Sequence, residues 1–396
     1  MREITITAND AGRRLDRFLR KYLSGASLGE IYKLIRKDVK VDGKRRPESY
    51  MLQEGETLAL YISDDVLDRL AGSSSGHKSR NASAKAKRQF RIIYEDADIL
   101  IADKPYGLLT HGDRTEKKRH LANQVRDYLI ETGEYDPREE KVFAPAPANR
   151  LDRNTTGLVL FGKTSAALKG LNQVIREDLA AKFYLTIAHG VIDRDLILTG
   201  NLSKDEALNK VRISDIQAGS LRQISAAELA GAYGHAYVSG SSDHGHSSDD
   251  SSLRPVITIV HPLEILDMGN GCKATFTEIR LVTGRSHQIR AHLAGIGHPL
   301  IGDAKYAKLP PEVSNRFDSA ADPADIRRLN DHLARTCNLT TQLLHAYAVS
   351  FAPEGLPEDI AYLSGRNFTA PPPPAFRRIL ESAGASISIT GENIGY

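Results

Sequence analysis

Asn149-Arg150-Leu151-Asp152-Arg153-Asn154-Thr155-Thr156-Gly157-Leu158-Val159-Leu160-Phe161-Gly162-Lys163 sets an acidic side chain between two arginines, turns at Thr-Thr-Gly, and runs on into a short apolar strand. That context can hold a carboxylate ionised and aim it at a ligand, which makes Asp152 the first candidate for chemistry. The same tetrad recurs at Arg14-Leu15-Asp16-Arg17, in a different setting. There Leu15, Phe18, Leu19 and Leu23 recur near helical spacing, and no strand follows. Asp16 is therefore expected as a solvated charge on the polar side of an amphipathic helix.

The 396 residues suffice for two domains with cores of their own. Apolar residues make up 41%, and no stretch approaches the ~18 apolar residues of a membrane span. Met1–Thr7 has no apolar core of a signal peptide. Cys272 and Cys337 stand far apart and outside any Cys-x-x-Cys, so neither a disulfide framework nor a cysteine zinc site is expected. These features read as a cytoplasmic protein, with nothing that demands more than a monomer. The net charge is only +3, but it is unevenly spread. Residues 1–62 carry 13 Lys/Arg against 9 Asp/Glu, and residues 77–91 add six more with no acid. Positive charge gathered in one part of a chain is the footprint of a polyanionic partner.

The first unit is expected over 1–62. Its second helix opens at Ser27-Leu28-Gly29-Glu30, a capping box, and continues through Ile31, Leu34 and Ile35. Val39-Lys40-Val41-Asp42-Gly43-Lys44 follows, a strand ending in an Asp-Gly turn, and Thr57–Ile62 is a last strand. A flexible basic linker is expected over 63–88, a larger domain over 89–355 and a C-terminal tail over 356–396. The Ser/Gly/Asp/His-rich run at 239–252 has nothing to bury and reads as a disordered surface loop. In the larger domain, strands at Ile99–Ala102, Leu158–Phe161, Phe183–Ile187, Val256–Val260, Lys273–Val282 and Ala346–Phe351 mix with helices without strict alternation. That pattern argues for an α+β domain with a largely antiparallel sheet.

Three more segments accompany the Asp152 stretch. Asp103-Lys104-Pro105-Tyr106-Gly107-Leu108-Leu109-Thr110-His111-Gly112 turns sharply after an apolar strand. In Lys182-Phe183-Tyr184-Leu185-Thr186-Ile187, alternation sends Phe183, Leu185 and Ile187 to one face and Tyr184 to the other. Gly284-Arg285-Ser286-His287-Gln288-Ile289-Arg290 opens a helix that Ser286 is placed to cap, with Gly302-Asp303 after it. The spacing of His287, His292 and His298 gives no i,i+4 pair for zinc, and no motif for a metal or cofactor stands out.

In this order the four segments resemble the RluA-type RNA pseudouridine synthases, and residues 1–62 resemble the S4 RNA-binding domain. The family commonly has His where this chain has Asn149, and Thr-Ser-Gly where it has Thr155-Thr156-Gly157. The resemblance implies a small S4-type domain followed by a pseudouridine synthase catalytic domain with a mixed, largely antiparallel sheet. It places the catalytic aspartate on Asp152, a tyrosine against the target base on Tyr184, and the arginine that pairs with the aspartate on Arg290. Arg150, Arg153, Arg285 and His287 would touch the target nucleotide or RNA phosphate. Arg17, Lys33, Arg36, Lys37, Lys40 and Lys44 would carry RNA binding in the first unit. The implied activity is isomerisation of uridines to pseudouridine without a cofactor, most readily in large-subunit ribosomal RNA or a ribosomal subunit precursor. A non-catalytic RNA-binding assembly factor is the alternative.

Overall fold

A computed structural model of the chain describes residues 1–71, 88–113, 116–205, 210–219, 254–309, 313 and 320–386. The expected loop at 239–252 and the basic stretch up to residue 87 lie outside the described residues.

The N-terminal unit pairs three short strands, β1 (Arg2–Thr5), β2 (Val39–Val41) and β3 (Thr57–Leu60), in the order β1-β3-β2. Helices Leu15–Tyr22 and Leu28–Lys37 supply its apolar faces, with Leu15, Phe18, Leu19, Ile31, Leu34 and Ile35 buried. Ser27 and Glu30 form the expected capping box. Asp42 and Gly43 both take positive φ, the geometry that Asp-Gly favours in a tight turn. Asp16 departs from its expected solvation: it is buried, with Arg14 Nη2 2.8 Å from its carboxylate.

Two boundaries move. The expected linker begins instead with a helix, Asp64–Leu70, whose Leu70 is buried in the N-terminal core, so the first unit runs on past residue 62. The two units also touch directly. Val142 sits in the N-terminal core, the Phe143 N–H donates to Asp10 Oδ1 at 2.9 Å, and the Ser165 N–H donates to Asn9 Oδ1 at 2.8 Å. At the other end, the supposed tail holds helix Pro374–Ser382, which buries Phe376, Ile379 and Leu380 against the sheet. The short helix readable after the proline run is thus part of the domain, its i, i+3, i+4 apolar spacing turned to the core.

The larger unit is built on one eleven-stranded sheet. Its strands are β4 (Arg91–Glu95), β5 (Ile99–Lys104), β6 (Ala146–Pro147), β7 (Thr156–Gly162), β8 (Ala180–His189), β9 (Leu196–Asp205), β10 (Lys210–Gly219), β11 (Arg254–Asp267), β12 (Lys273–Leu281), β13 (Leu344–Phe351) and β14 (Asn367–Thr369). The path is β10-β9-β11-β12-β8-β13-β7-β5-β4, with β6 beside β7 and β14 beside β13. Neighbours pair antiparallel except β13 with β7, so the α+β, largely antiparallel expectation holds for this domain.

The period of two along β8 divides the core. Phe183, Leu185 and Ile187 face helices Pro323–Cys337 and Pro374–Ser382, while Tyr184 and Ala188 face helices Leu121–Glu131 and Gln288–Gly295. Both faces are covered, and Tyr184 is buried on the second of them. Gly157 permits the parallel contact of β7 with β13. Its φ is 108°, and a Cβ there would stand 2.1 Å from the Ala346 carbonyl oxygen. This close approach at the start of β7 seats the strand, and the Asp152 loop that leads into it, against β13.

Candidate active site

Asp152 sits in the loop before β7, and both of its neighbours are pinned by the Asp103–Gly112 segment. On one side, the Thr110 hydroxyl accepts from the Leu151 N–H at 3.1 Å and donates to the Leu151 carbonyl at 2.9 Å. On the other, Lys104 Nζ donates to the Arg153 carbonyl at 2.9 Å and to the carbonyls of Leu108 (2.7 Å) and Pro105 (3.1 Å). The Lys104 side chain is wholly buried, and burial pushes its ammonium down to about 7. Three carbonyl acceptors match the three N–H donors of the charged form, and the nearby carboxylates of Asp152 and Asp103 favour it as well. Lys104→Met should therefore lower stability by roughly 2–5 kcal/mol, since three carbonyls, that of Leu108 fully buried, lose their donor. It should also slow turnover by freeing the loop. Thermal denaturation and an activity assay on that variant check both.

The Asp152 side chain is 26% exposed, with Oδ2 3.4 Å from Arg290 Nη1 and 3.7 Å from His287 Nε2. Arg290 is gripped harder from behind. Its Nε and Nη2 donate to the two oxygens of Asp303 at 2.7 and 2.9 Å, and Asp303 is 1% exposed. Burial works against the Arg290 charge, but the Asp303 bonds and the two carboxylates outweigh it and raise its pKa. Burial holds His287 below its ordinary pKa, aided by Arg290 and opposed by Asp152. Burial, reinforced by the Asp152 charge, pushes the Tyr184 phenol up, so it remains protonated.

One cavity of about 680 Å³ gathers all seven residues expected to act on substrate: Arg150, Asp152, Arg153, Tyr184, Arg285, His287 and Arg290. Arg150 and Arg153 are exposed at its rim, with Arg153 3.4 Å from Asp113. Among the described residues, three atoms of the lining, His111 Nδ1, Thr155 Oγ1 and Arg285 Nε, are buried with no hydrogen-bond partner, as expected of groups that meet a ligand. The cavity is large enough for a nucleotide, and its charged lining is mainly cationic, six Lys/Arg against Asp113 and Asp152. The six N-terminal cations lie elsewhere, on the first unit: Arg17, Lys33, Arg36, Lys37 and Lys44 are exposed, and Lys40 is half-buried with Nζ over the Tyr61 ring.

Ser286 does not cap its helix. The helix begins at Gln288 with His287 as the preceding residue, in a left-handed conformation (φ 54°). Gln288 does the local bonding, its Oε1 accepting from the Arg285 N–H and its Nε2 donating to the Ile257 carbonyl. Sequence reading also gave no role to Lys104, Thr110, Asp303 and Tyr306. The signal available was the polar and charged residues inside otherwise apolar segments, which must find partners once buried.

Residues 98–295, half of the chain, match the family model described as RNA pseudouridylate synthase. The chain is 26% identical over 339 residues to the ribosomal large subunit pseudouridine synthase C of Vibrio cholerae, covering 84% of this chain and 86% of that one. It is 26% identical over 313 residues to the ribosomal large subunit pseudouridine synthase D of Nitrosomonas europaea, covering 79% and 74%. The solved structure of human RNA pseudouridylate synthase domain containing 4 aligns with a TM-score of 0.46 at 17% identity, covering 74% of this chain and 92% of that one.

Proposed function

The chain belongs to the RNA pseudouridylate synthase family, and from that premise we propose that it isomerises uridines of large-subunit ribosomal RNA with Asp152 as the reacting carboxylate. The observation that carries this reading is the placement of Asp152. It stands at a cationic cavity, facing Arg290 and His287, beside a protonated Tyr184. The names of the relatives in Vibrio and Nitrosomonas support the choice of RNA.

The reaction breaks the N1–C1′ bond, turns the base and joins C5 to C1′. The sugar carbon becomes electron-poor as N1 leaves, and a carboxylate serves it by attacking C1′ or by removing the C2′ proton. Arg290 and His287 face that carboxylate in either role. Tyr184 offers a ring and a neutral hydroxyl to the base, and Arg150, Arg153, Arg285 and His287 surround the nucleotide and its phosphates. The target must leave its stack, at a cost of a few kcal/mol in a duplex, which the basic contacts and stacking on Tyr184 offset. C5 exchanges its hydrogen for a carbon, so tritium release from ribosomal RNA labelled at uridine C5 tests the proposal. Absence of release on both naked RNA and ribosomal particles would leave RNA binding without catalysis as the reading.

The N-terminal unit, in this proposal, is an S4-type RNA-binding domain, supported by its two capped or charged helices on a small sheet and its exposed cations. Replacing Lys33, Arg36 and Lys37 with Gln should weaken RNA binding and flatten its log–log salt dependence by roughly 2–3, since each phosphate a cation neutralises releases about one counterion. An unchanged slope measured by filter binding across a salt series would remove these residues from the RNA interface.

A further inference from the structure

We propose that Tyr306 is a positioning residue that sets the tautomer of His287, so that a neutral imidazole presents its Nε2–H to Asp152. This rests on Asp152 being the reacting group, as proposed above. Tyr306 follows Asp303 by one turn and lies buried beneath the active site. Its hydroxyl oxygen accepts the Val211 N–H of β10 at 3.0 Å, and His287 Nδ1 stands 3.0 Å from the same oxygen.

A phenol carries one proton and must give it to an acceptor when buried. Burial pushes this phenol up to about 12, so the proton stays on oxygen. Val211 already donates to that oxygen, which leaves His287 Nδ1 as the acceptor among the described contacts. An imidazole that accepts at Nδ1 carries its own proton at Nε2. Nε2 is the atom that faces Asp152 Oδ2, 3.7 Å away, a gap of the kind that closes when substrate binds. His287 also needs such a tether, since its left-handed backbone is rare for a residue with a Cβ.

The same ring supports the second partner of Asp152. The Arg290 guanidinium lies 5.0 Å from the Tyr306 ring centroid, and the His287 ring meets it edge-on at 5.8 Å. Tyr306 therefore touches both groups that face Asp152 and ties them to β10, the edge strand beside the cavity. Removal of the hydroxyl alone leaves the ring under Arg290 and frees only the histidine and the Val211 amide.

The test uses the full-length wild-type protein and Tyr306→Phe. Histidine ¹⁵N NMR on the wild type, without RNA, should show His287 protonated at Nε2 and bare at Nδ1. Tyr306→Phe should mix the two tautomers and speed hydrogen exchange at the Val211 amide. In the tritium assay it should lower kcat by about tenfold or more with KM little changed, the pattern of an interaction used in the transition state. A wild-type His287 carrying its proton on Nδ1 would overturn the proposal without any variant. So would wild-type kcat in a Tyr306→Phe protein whose tautomer has changed. The expected NMR signature together with no tritium release by the wild type would uphold the tautomer assignment and sink the catalytic reading it serves.

Discussion

Asp152→Asn is expected to abolish tritium release from C5-labelled RNA while RNA affinity stays within about twofold of wild type. The side chain differs by one atom, so packing and the turn are retained: the Thr155 N–H still reaches the residue-152 carbonyl, and Thr110 and Lys104 still hold the flanking backbone. What disappears is the negative charge and the oxygen nucleophile. An amide can neither attack C1′ nor take a proton from C2′, so the loss should be on the order of 10³-fold or more, as when a reacting group is deleted in other covalent enzymes. Binding rests on other residues, the exposed cations of both units and the walls of the cavity. Removal of one acidic group from a cationic cavity should, if anything, strengthen phosphate attraction slightly. Turnover at a rate within tenfold of wild type would show that the carboxylate is not the reacting group. A large loss of affinity would mean instead that Asp152 holds the cavity together.

The stretch around Asp152 was readable because its signals agree at every level. The apolar run after Gly157 is β7, the glycine is required by its contact with Ala346, and the flanking arginines reach the cavity. Helix Leu28–Lys37 was equally plain, since the capping box and the apolar spacing point to one start and one face. Other elements were hidden for physical reasons. β9 and β10 are hard to see because Gly200 and Asn201 interrupt the first and a register shift between Ser214 and Gln217 breaks the alternation of the second. Helix Asp64–Leu70 has a single buried residue and abuts a Ser/Gly run, which masks it. Ser286 has the right chemistry for a cap, but the left-handed backbone of His287 starts the helix two residues later. The site residues missed, Lys104, Thr110, Asp303 and Tyr306, act on other side chains or on backbone. Nothing local marks such roles: Lys104 reaches a carbonyl 49 residues on, Thr110 one 41 residues on, and Asp303 an arginine 13 residues back.

Asp303→Asn should produce the second large effect, in stability and turnover together. Arg290 is shared between two carboxylates, held at two nitrogens by buried Asp303 and reaching the partly exposed Asp152 with a third. Loss of the Asp303 charge strands a buried guanidinium, at a cost of roughly 3–5 kcal/mol, or a fall in Tm of about 6–15 °C for a domain of this size. The remaining attraction pulls Arg290 toward Asp152, turning a weak contact into a tight ion pair that blocks the oxygen needed for reaction. Turnover should fall by about 100-fold even in the folded fraction. Adding Arg290→Met to Asp303→Asn removes the stranded charge. Much of the lost stability should then return, because an apolar replacement of a buried pair is often neutral. Activity should not return with it, since Asp152 has then lost its cationic partner. Thermal denaturation and tritium release on the single and double variants separate the two effects. Recovery of both together would mean that Arg290 serves the fold alone, and wild-type turnover in Asp303→Asn would mean that its orientation does not matter to Asp152.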